Sequence, residues 1–243
     1  MERIQKVIAN SGYCSRRKAE ELIKINKVLV NGKIATIGMQ VGNNDIIEID
    51  GEIIKKDTDN KVYYLLNKPR GVVTTSSDEL GRKTVIDLID TEKRIYPVGR
   101  LDYDTTGVLL LTNDGELTNK LTHPKNNIEK VYVAKIEGII TGIDINKLKR
   151  GVIIDNFKTS PARVKLKSYD KKSQTSLVEL TIHEGHNHQV KKMFEAVGYN
   201  VIKLTRIRFA GIDVKSLKSG EYRQLNPKEV KRLYGLLAGE SKN

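Results

Sequence analysis

The segment from Gly99 to Gly107 places two carboxylates between glycines, and it is the first candidate for a chemical site. Asp102 and Asp104 lie among threonines, and Arg100 is close by in the chain. An aspartate in such a segment is most often a turn residue whose side chain hydrogen-bonds its own backbone. A carboxylate that works in a sheltered site must stay ionised, however, and a neighbouring cation favours the ionised form. The segment is therefore either a polar turn or an acid-bearing site that Arg100 and a more distant cationic cluster support.

That second polar cluster runs from Glu184 to Met193, with His183 just before it. Its histidines raise the question of a metal site. Three histidines spaced by three and two residues across a glycine do not share one helical face, and no carboxylate or cysteine set completes them, so we predict no metal. We interpret the cluster as a helix start that reaches into a cleft and offers groups to phosphates or base edges: His186, Asn187, His188, Gln189 and Lys191.

Known nucleotide-binding loops are missing from the sequence. The segment from Asn67 to Gly71 contains Lys68 and Arg70, but it lacks the glycine spacing and the Lys-Ser/Thr ending of a P-loop. No Gly-x-Gly-x-x-Gly occurs either, which argues against a methyltransferase or a dehydrogenase.

The first sixty residues have the pattern of a small separate unit. A helical spacing of apolar residues begins at Ile4, and Ser15 is a good N-cap for a second helix. Asn31-Gly32 between two short β-prone runs predicts a hairpin. The polar segment 55–61 has no periodicity and is typical of a linker. We therefore predict two domains, residues 1–60 and residues 61–243.

Basic residues dominate the start of the chain: residues 2–33 contain eight Lys and Arg against three Glu. Three cations occupy the first turn of the second helix, where the helix dipole disfavours them unless an anion such as phosphate compensates. A solvated basic helix end is the alternative. The whole chain carries 43 Lys and Arg against 30 Asp and Glu, a net charge of +13, which favours a polyanionic partner. We predict that the first unit binds nucleic acid through Arg3, Arg16, Arg17, Lys18 and Lys27.

The remainder of the chain alternates strand and helix patterns. Four apolar residues in a row, 108–111, predict a strand buried on both faces. Further strands are predicted over 62–66, 130–136, 162–167, 176–182 and 201–204. Helices are predicted over 84–89, 116–122, 145–150 and 190–197 and from Asn226 onwards. The fold class is α+β, with a mixed, mostly antiparallel sheet in the larger domain.

Composition narrows the class of protein further. The single cysteine, Cys14, has no partner for an internal disulfide, which favours a reducing compartment. The first residues lack the apolar run of a signal peptide, and no stretch approaches the length of a membrane span. We predict a soluble, cytoplasmic protein.

Two stretches of the first unit resemble the alpha-L RNA-binding motif that is shared with small-subunit ribosomal protein four. They run from Ser15 to Ile23 and from Lys27 to Gly32, and the resemblance covers most of residues 1–50. It implies RNA binding rather than chemistry, because the same module occurs in enzymes, heat-shock proteins and ribosomal proteins alike.

The larger part of the chain resembles the RsuA/RluB/RluE/RluF family of bacterial ribosomal-RNA pseudouridine synthases, nearest the RluB branch. The matching motifs come in the family order and cover nearly the whole chain: Asn67–Gly71, Gly99–Asp102 with Thr105 and Gly107, Leu109–Gly115, Lys130–Tyr132, Glu184-Gly185 with His188–Val190, and Gly220–Leu225. The resemblance implies an enzyme of ribosome biogenesis that isomerises a specific uridine, with large-subunit ribosomal RNA as the expected substrate.

The resemblance also implies roles for single residues. Asp102 is the nucleophile, which attacks the ribose anomeric carbon or the base ring. Tyr132 matches the tyrosine that stacks on the extruded base and assists proton removal at carbon five. Lys191 stands where relatives carry a basic residue, often Arg, paired with the aspartate, and Leu204 is the apolar residue under the base. Further RNA contacts are predicted for Lys68, Arg70, Arg100, Asn187, His188 and Gln189.

No cofactor and no metal are implied, because the reaction is an isomerisation without redox change or net hydrolysis. We expect a monomer whose partner is ribosomal RNA, of the large subunit or its assembly precursor, with no membrane contact. The alternatives are a small-subunit ribosomal-RNA synthase and a non-catalytic RNA-binding assembly factor. The presence of Asp102, Tyr132 and Lys191 together argues against the assembly factor, since a pure binder has no need of all three.

Overall fold

The computed structural model describes residues 1–54 and 61–237, and the chain divides into two compact units. The first unit contains residues 1–62, 91–95 and 113–115, and the second contains the rest of the chain. Most of the segment interpreted as a linker, residues 55–60, lies outside the described residues.

The first unit combines two helices with short strands. Its elements are β1 (Glu2–Arg3), α1 (Ile4–Asn10), α2 (Arg16–Lys24), β2 (Val28–Val30), β3 (Lys33–Ile34), β4 (Gln40–Val41), β5 (Ile47–Ile49) and β6 (Glu52–Ile53). Strands β2, β3, β5 and β6 form one antiparallel sheet in the order β3-β2-β5-β6. Apolar side chains from both helices and from this sheet form its core, among them Ile8, Ala19, Ile23, Val28, Ile47 and Ile49.

Two local sequence predictions for this unit are confirmed. The hydroxyl of Ser15 accepts a hydrogen bond from the backbone N–H of Lys18 at 3.1 Å, so Ser15 is the N-cap of α2. Asn31 and Gly32 both have positive φ, 50° and 77°, which a two-residue turn between strands of right-handed twist requires. They join β2 to β3 as an antiparallel hairpin.

The second unit contains the longer strands. Its elements are β7 (Tyr63–Lys68), β8 (Tyr96–Pro97), β9 (Thr106–Thr112), α3 (Gly115–Thr122), β10 (Lys130–Glu137), α4 (Gly142–Arg150), β11 (Ile153–Ile154), β12 (Phe157–Lys158), β13 (Arg163–Asp170), β14 (Thr175–Ile182), α5 (Gln189–Glu195), β15 (Val201–Phe209), β16 (Ile212–Asp213), β17 (Tyr222–Gln224) and α6 (Pro227–Leu237).

The strands of the main sheet follow the order β13-β14-β10-β15-β9-β7-β17. Along this path the only parallel pair of neighbours is β15 and β9, and the remaining neighbours are antiparallel. The α+β class and the mixed, mostly antiparallel sheet are therefore confirmed. Strand β9 lies inside this sheet, and Val108, Leu109, Leu110 and Leu111 are each at most 3% exposed, as the apolar run predicted.

The parallel pairing of β9 with β15 depends on Gly107. This residue has φ +105°, and a Cβ at its position would overlap the backbone carbonyl of Arg206 on β15. Glycine therefore allows the two backbones to approach closely, at the point where the chain leaves the Asp102 segment. The close approach brings that segment next to β15.

The structure corrects two predicted elements. The strand predicted over 201–204 continues to Phe209, because its edges pair with both β10 and β9. The helix predicted over 84–89 is a single 3-10 turn, Ile86–Leu88. The helix predicted from Asn226 onwards is α6, and Asn226 caps it: Asn226 accepts from the N–H of Glu229, whose carboxylate accepts from the N–H of Asn226.

Candidate active site

A cavity of about 1100 Å³ opens in the second unit, and the Asp102 segment forms part of its wall. Strands β10 and β15 contribute the facing wall through Tyr132 and Leu204. The loop after β14, residues 183–188, and the loop 73–82 also contribute to the lining. The structure thus brings the two sequence clusters together, although they lie eighty residues apart in the chain.

Asp102 stands between two basic side chains. Its Oδ1 lies 3.5 Å from Nε2 of His188, and its Oδ2 lies 3.6 Å from Nζ of Lys191. The Asp102 side chain keeps 30% of its exposure, so it is sheltered but reachable from the cavity. The Lys191 ammonium therefore places a positive charge beside the Asp102 carboxylate.

The Lys191 ammonium is shared between two carboxylates. It donates a hydrogen bond to Oδ1 of Asp104 at 2.7 Å, closer than its 3.6 Å approach to Asp102. This hydrogen bond from Lys191 lowers the pKa of Asp104 below its usual value. The sequence predicted pairing with Asp102 and did not anticipate Asp104 as the nearer partner.

The backbone of the Asp102 segment is held by buried polar contacts. The Lys68 ammonium donates to the carbonyls of Pro69, Asp102 and Thr105, each at 3.1 Å. The hydroxyl of Thr74 donates to the carbonyl of Leu101 at 2.7 Å. These contacts fix the turn that presents the Asp102 carboxylate to the cavity.

The prediction that Lys68 contacts RNA is wrong. Its side chain is fully buried, and its three hydrogen bonds go to the chain's own carbonyls. Burial lowers the pKa of Lys68 to about 8, while the charges of Asp102 and Asp104 oppose that shift. Lys68 is a structural cation beneath the site.

The loop before α5 has a similar internal network. Gln189 is 3% exposed, its side-chain oxygen accepts from the N–H of His186 at 3.1 Å, and its amide nitrogen donates to Glu184 at 3.4 Å. These bonds shape the loop, and Gln189 also lines the cavity, so its contact with RNA stays a prediction. His188 adopts a left-handed backbone at the start of α5, φ 53° and ψ 25°, which turns its ring towards Asp102.

Strand register explains why the cavity wall has these residues. Tyr132 on β10 pairs with Arg206 on β15, and Ala134 pairs with Leu204. Directly paired residues point to the same face of a sheet, so Tyr132, Leu204 and Arg206 share the face that lines the cavity. Tyr132 and Leu204 are 8% and 5% exposed, which suits an apolar platform.

Sequence reasoning missed two cations in this wall, Arg206 and Lys130. Arg206 lies two residues after Leu204 and therefore on the same face, but the predicted strand ended at Leu204. Lys130 likewise lies two residues before Tyr132. The period of two along each strand was the signal that could have identified both.

The remaining predicted RNA-binding residues are exposed. Arg100 and Asn187 line the cavity, and the charge of Arg70 contributes to the lowered pKa of Asp104. Five others belong to the first unit, where Lys27 pairs with Asp50 at 2.7 Å: Arg3, Arg16, Arg17, Lys18 and Lys27.

Comparison with known proteins agrees with this fold. Residues 62–196 match the family described as RNA pseudouridylate synthase, and residues 2–47 match the S4 domain. The protein is therefore an RNA pseudouridine synthase, an isomerase, with an RNA-binding S4 domain. Within that class the chain belongs to the RsuA/RluB/RluF family.

Individual relatives span nearly the whole chain. It is 54% identical to ribosomal large subunit pseudouridine synthase B of Bacillus subtilis, over 100% of this chain and 99% of that protein. It is 36% identical to the dual-specificity RNA pseudouridine synthase RluF of Escherichia coli, over 98% of this chain and 80% of that protein. A crystal structure of a pseudouridylate synthase superimposes with a TM-score of 0.68 at 32% identity, covering 96% of this chain and 100% of that one.

Proposed function

We propose that this enzyme converts a specific uridine of large-subunit ribosomal RNA into pseudouridine by covalent catalysis through Asp102. The observation that carries the proposal is the Asp102 carboxylate in the cavity wall, with His188 at 3.5 Å and Lys191 at 3.6 Å. The substrate follows from the large-subunit synthase that shares 54% identity with this chain. Asp102 attacks the anomeric carbon or the base ring, the uracil turns, and a carbon–carbon bond replaces the carbon–nitrogen bond.

The other residues have supporting roles in this proposal. Tyr132 stacks on the extruded base and offsets part of the unstacking free energy, since one stacked aromatic contributes about 1–3 kcal/mol. Leu204 is the apolar residue under the base, and Lys191 places a positive charge beside Asp102. The domain of residues 1–60 anchors the RNA through its basic helix end, and residues 61–243 perform the chemistry. Arg70, Arg100, Asn187 and His188 contact the RNA around the cavity.

We further propose that the enzyme acts as a monomer in the cytoplasm, on large-subunit ribosomal RNA or its assembly precursor. None of the helices in the described residues has the length and apolar character to cross a membrane. No step of the proposed reaction calls for a metal or a cofactor.

The test is pseudouridine mapping on unmodified ribosomal-RNA transcripts of both subunits, incubated with the purified protein. We expect one modified site or a small cluster in the large-subunit transcript. Modification of the small-subunit transcript alone would overturn the choice of subunit. Tight binding without pseudouridine in either RNA, in naked transcripts and in assembly precursors, would instead favour the non-catalytic assembly factor.

A further inference from the structure

A guanidinium and an ammonium lie in the cavity wall, and neither has a carboxylate partner among the residues that the structure describes. Arg206 is only 2% exposed, and its Nε donates to the carbonyl of Val108 at 2.8 Å. Its guanidinium carbon lies over the ring of Phe209, 4.8 Å from the ring centroid. Its Nη2 has no hydrogen-bond partner within the part of the chain that the structure describes. A buried guanidinium nitrogen without a partner is unfavourable, which points to a ligand or a water that completes its hydrogen bonds.

Lys130 is the second cation. Its ammonium donates to the carbonyl of His183 at 2.9 Å and to that of Ile128 at 3.3 Å, which fixes its position and accounts for two of its three protons. Neither Lys130 nor Arg206 forms an ion pair among the described residues. Burial and the nearby charge of Arg206 lower the pKa of Lys130 to about 8, and the charge of Glu184 opposes that shift.

Strand geometry directs both cations to the place where the base would lie. Arg206 is the register partner of Tyr132, and Lys130 precedes Tyr132 by two residues on the same strand face. All three line the cavity, together with Phe209, which pairs with Lys130. A base that stacks on Tyr132 would therefore turn one edge towards the two cations.

We propose that Arg206 and Lys130 bind the carbonyl-oxygen edge of the target uracil and stabilise the negative charge that the ring acquires during the reaction. This inference rests on the proposed function, because it specifies how the same cavity treats its base. Deep burial favours the ring edge over a phosphate. A nucleotide turned out of a helix enters ring first, and its phosphates stay with the backbone outside.

The charge arises on either route of attack. When Asp102 attacks the anomeric carbon, the bond to nitrogen one breaks and its electron pair spreads over the ring nitrogen and oxygens. When Asp102 adds to the ring, the displaced electron pair moves onto a ring oxygen, and the bond between nitrogen one and the anomeric carbon breaks afterwards. Carbon five then bonds to the anomeric carbon, and Asp102 is released. Loss of the carbon-five proton and protonation of nitrogen one restore a neutral base. Fixed cations at the oxygens lower the barrier because they need not reorganise.

The experiment uses RNA stem-loops that carry uridine, 2-thiouridine or 4-thiouridine at the mapped target, because sulfur is the weaker hydrogen-bond acceptor. With the wild-type enzyme under single-turnover conditions, we expect one of the two thio-substitutions to slow pseudouridine formation by about tenfold or more. Equal rates for the three RNAs would overturn the proposal, and this comparison needs no variant to fold.

Variants then identify the protein groups. Lys130→Met should slow the reaction on normal RNA by about 100-fold, the effect of losing one oxyanion donor, with the RNA Kd unchanged within about threefold. With Lys130→Met, the thio-substituted RNA and the normal RNA should react at similar rates. Lys130→Arg should restore the rate on normal RNA. Lys135→Met, an exposed lysine on the same strand, is the matched control and should behave as wild type. A loss that appears only in the RNA Kd would point to a phosphate contact and overturn the proposal.

A pH profile separates a charge effect from a packing effect. Lys130 faces Arg206 on β15 and Glu184 after β14, and its pKa of about 8 predicts a wild-type rate that falls as the pH rises through that value. Lys130→Arg should move the fall to higher pH, because a guanidinium stays charged. An unmoved profile would contradict a role for the Lys130 charge. A wild-type enzyme that makes no pseudouridine on any RNA would instead refute the proposed function itself.

Discussion

The Lys191 ammonium lies nearer to Asp104 than to Asp102, at 2.7 Å and 3.6 Å. The two carboxylates therefore compete for one cation, which is a compact point charge without the two-pronged geometry of arginine. Asp104 engages Lys191 through a direct hydrogen bond, and Asp102 receives mainly the electrostatic effect of the charge. This arrangement leaves the oxygens of Asp102 less occupied and available to a substrate carbon.

Replacing Asp102 with Asn tests the nucleophile. Pseudouridine formation should fall by about 1000-fold or more, because an amide cannot form the covalent intermediate. RNA binding and the melting temperature should stay close to wild type, since the Asp102 contacts to Lys68 use the backbone carbonyl. The rate is measured on the mapped RNA, with Asp90→Asn as the control. Full product from the Asp102 variant would remove Asp102 as the nucleophile.

Replacing Asp104 with Asn releases Lys191 to Asp102. We expect the single-turnover rate to change by less than about fivefold, because a half-exposed ion pair contributes little free energy. Lys191→Met removes the cation from both carboxylates, and it should lower the single-turnover rate more than Asp104→Asn does. If Asp104→Asn were as damaging as Asp102→Asn, the assignment of the nucleophile within the segment would have to be reversed.

The same ion pair has a predicted pH signature. Hydrogen bonding to Lys191 lowers the folded-state pKa of Asp104 below 3.8. A lowered carboxyl pKa stabilises the fold above the unfolded pKa, and this stability is lost as the pH falls through the folded pKa. The difference in unfolding free energy between wild type and Asp104→Asn should be at most about 1 kcal/mol at pH 7 and should fade below pH 3.8. Urea unfolding across this pH range measures the difference in unfolding free energy. A difference that grows in acid would contradict the predicted direction of the pH dependence.

Lys68→Met tests the structural role of the buried ammonium. The variant leaves the carbonyls of Pro69, Asp102 and Thr105 without this donor. We therefore expect the free energy of unfolding to fall by about 1–3 kcal/mol at pH 7 and the reaction rate to fall as well. RNA affinity should not change. Because the pKa of Lys68 is lowered to about 8, the unfolded chain binds more protons above that pH, and wild-type stability relative to the variant should rise from there to pH 10.5.

Denaturant unfolding and RNA binding measured on the same Lys68→Met protein decide this prediction. An exposed lysine of the second unit, Lys203, supplies the matched control as Lys203→Met. A normal melting temperature together with weakened RNA binding would reinstate Lys68 as an RNA contact.

The basic helix end of α2 is expected to contact phosphates. Replacing Arg16 and Arg17 with Gln should weaken RNA binding and reduce the slope of log K against log salt by up to about 1.8, or 0.9 for each lost phosphate contact. Lys24→Gln, at the other end of the same helix, should leave the slope nearly unchanged. Binding isotherms at several salt concentrations measure this. An unaltered slope for the double variant would mean that this helix end is not an RNA anchor.

The sequence alone determined the elements whose signals are local. The Ser15 cap, the Asn31-Gly32 hairpin and the apolar run of β9 were predicted correctly because capping, turn and burial preferences act over a few neighbouring residues. The order of family motifs also indicated the class of enzyme. That order, together with Arg100 close by in the sequence, predicted Asp102 as the nucleophile.

Only the tertiary structure decided which distant side chains meet. Lys68 has the residue type of an RNA contact, yet the fold buries it on the chain's own polar groups. Asp104 is the nearest partner of Lys191 across 87 positions of sequence, and Arg206 reaches the cavity through its register with Tyr132. Register and close backbone approach, such as that at Gly107, set these distances, and neither can be derived from the pattern of any single segment.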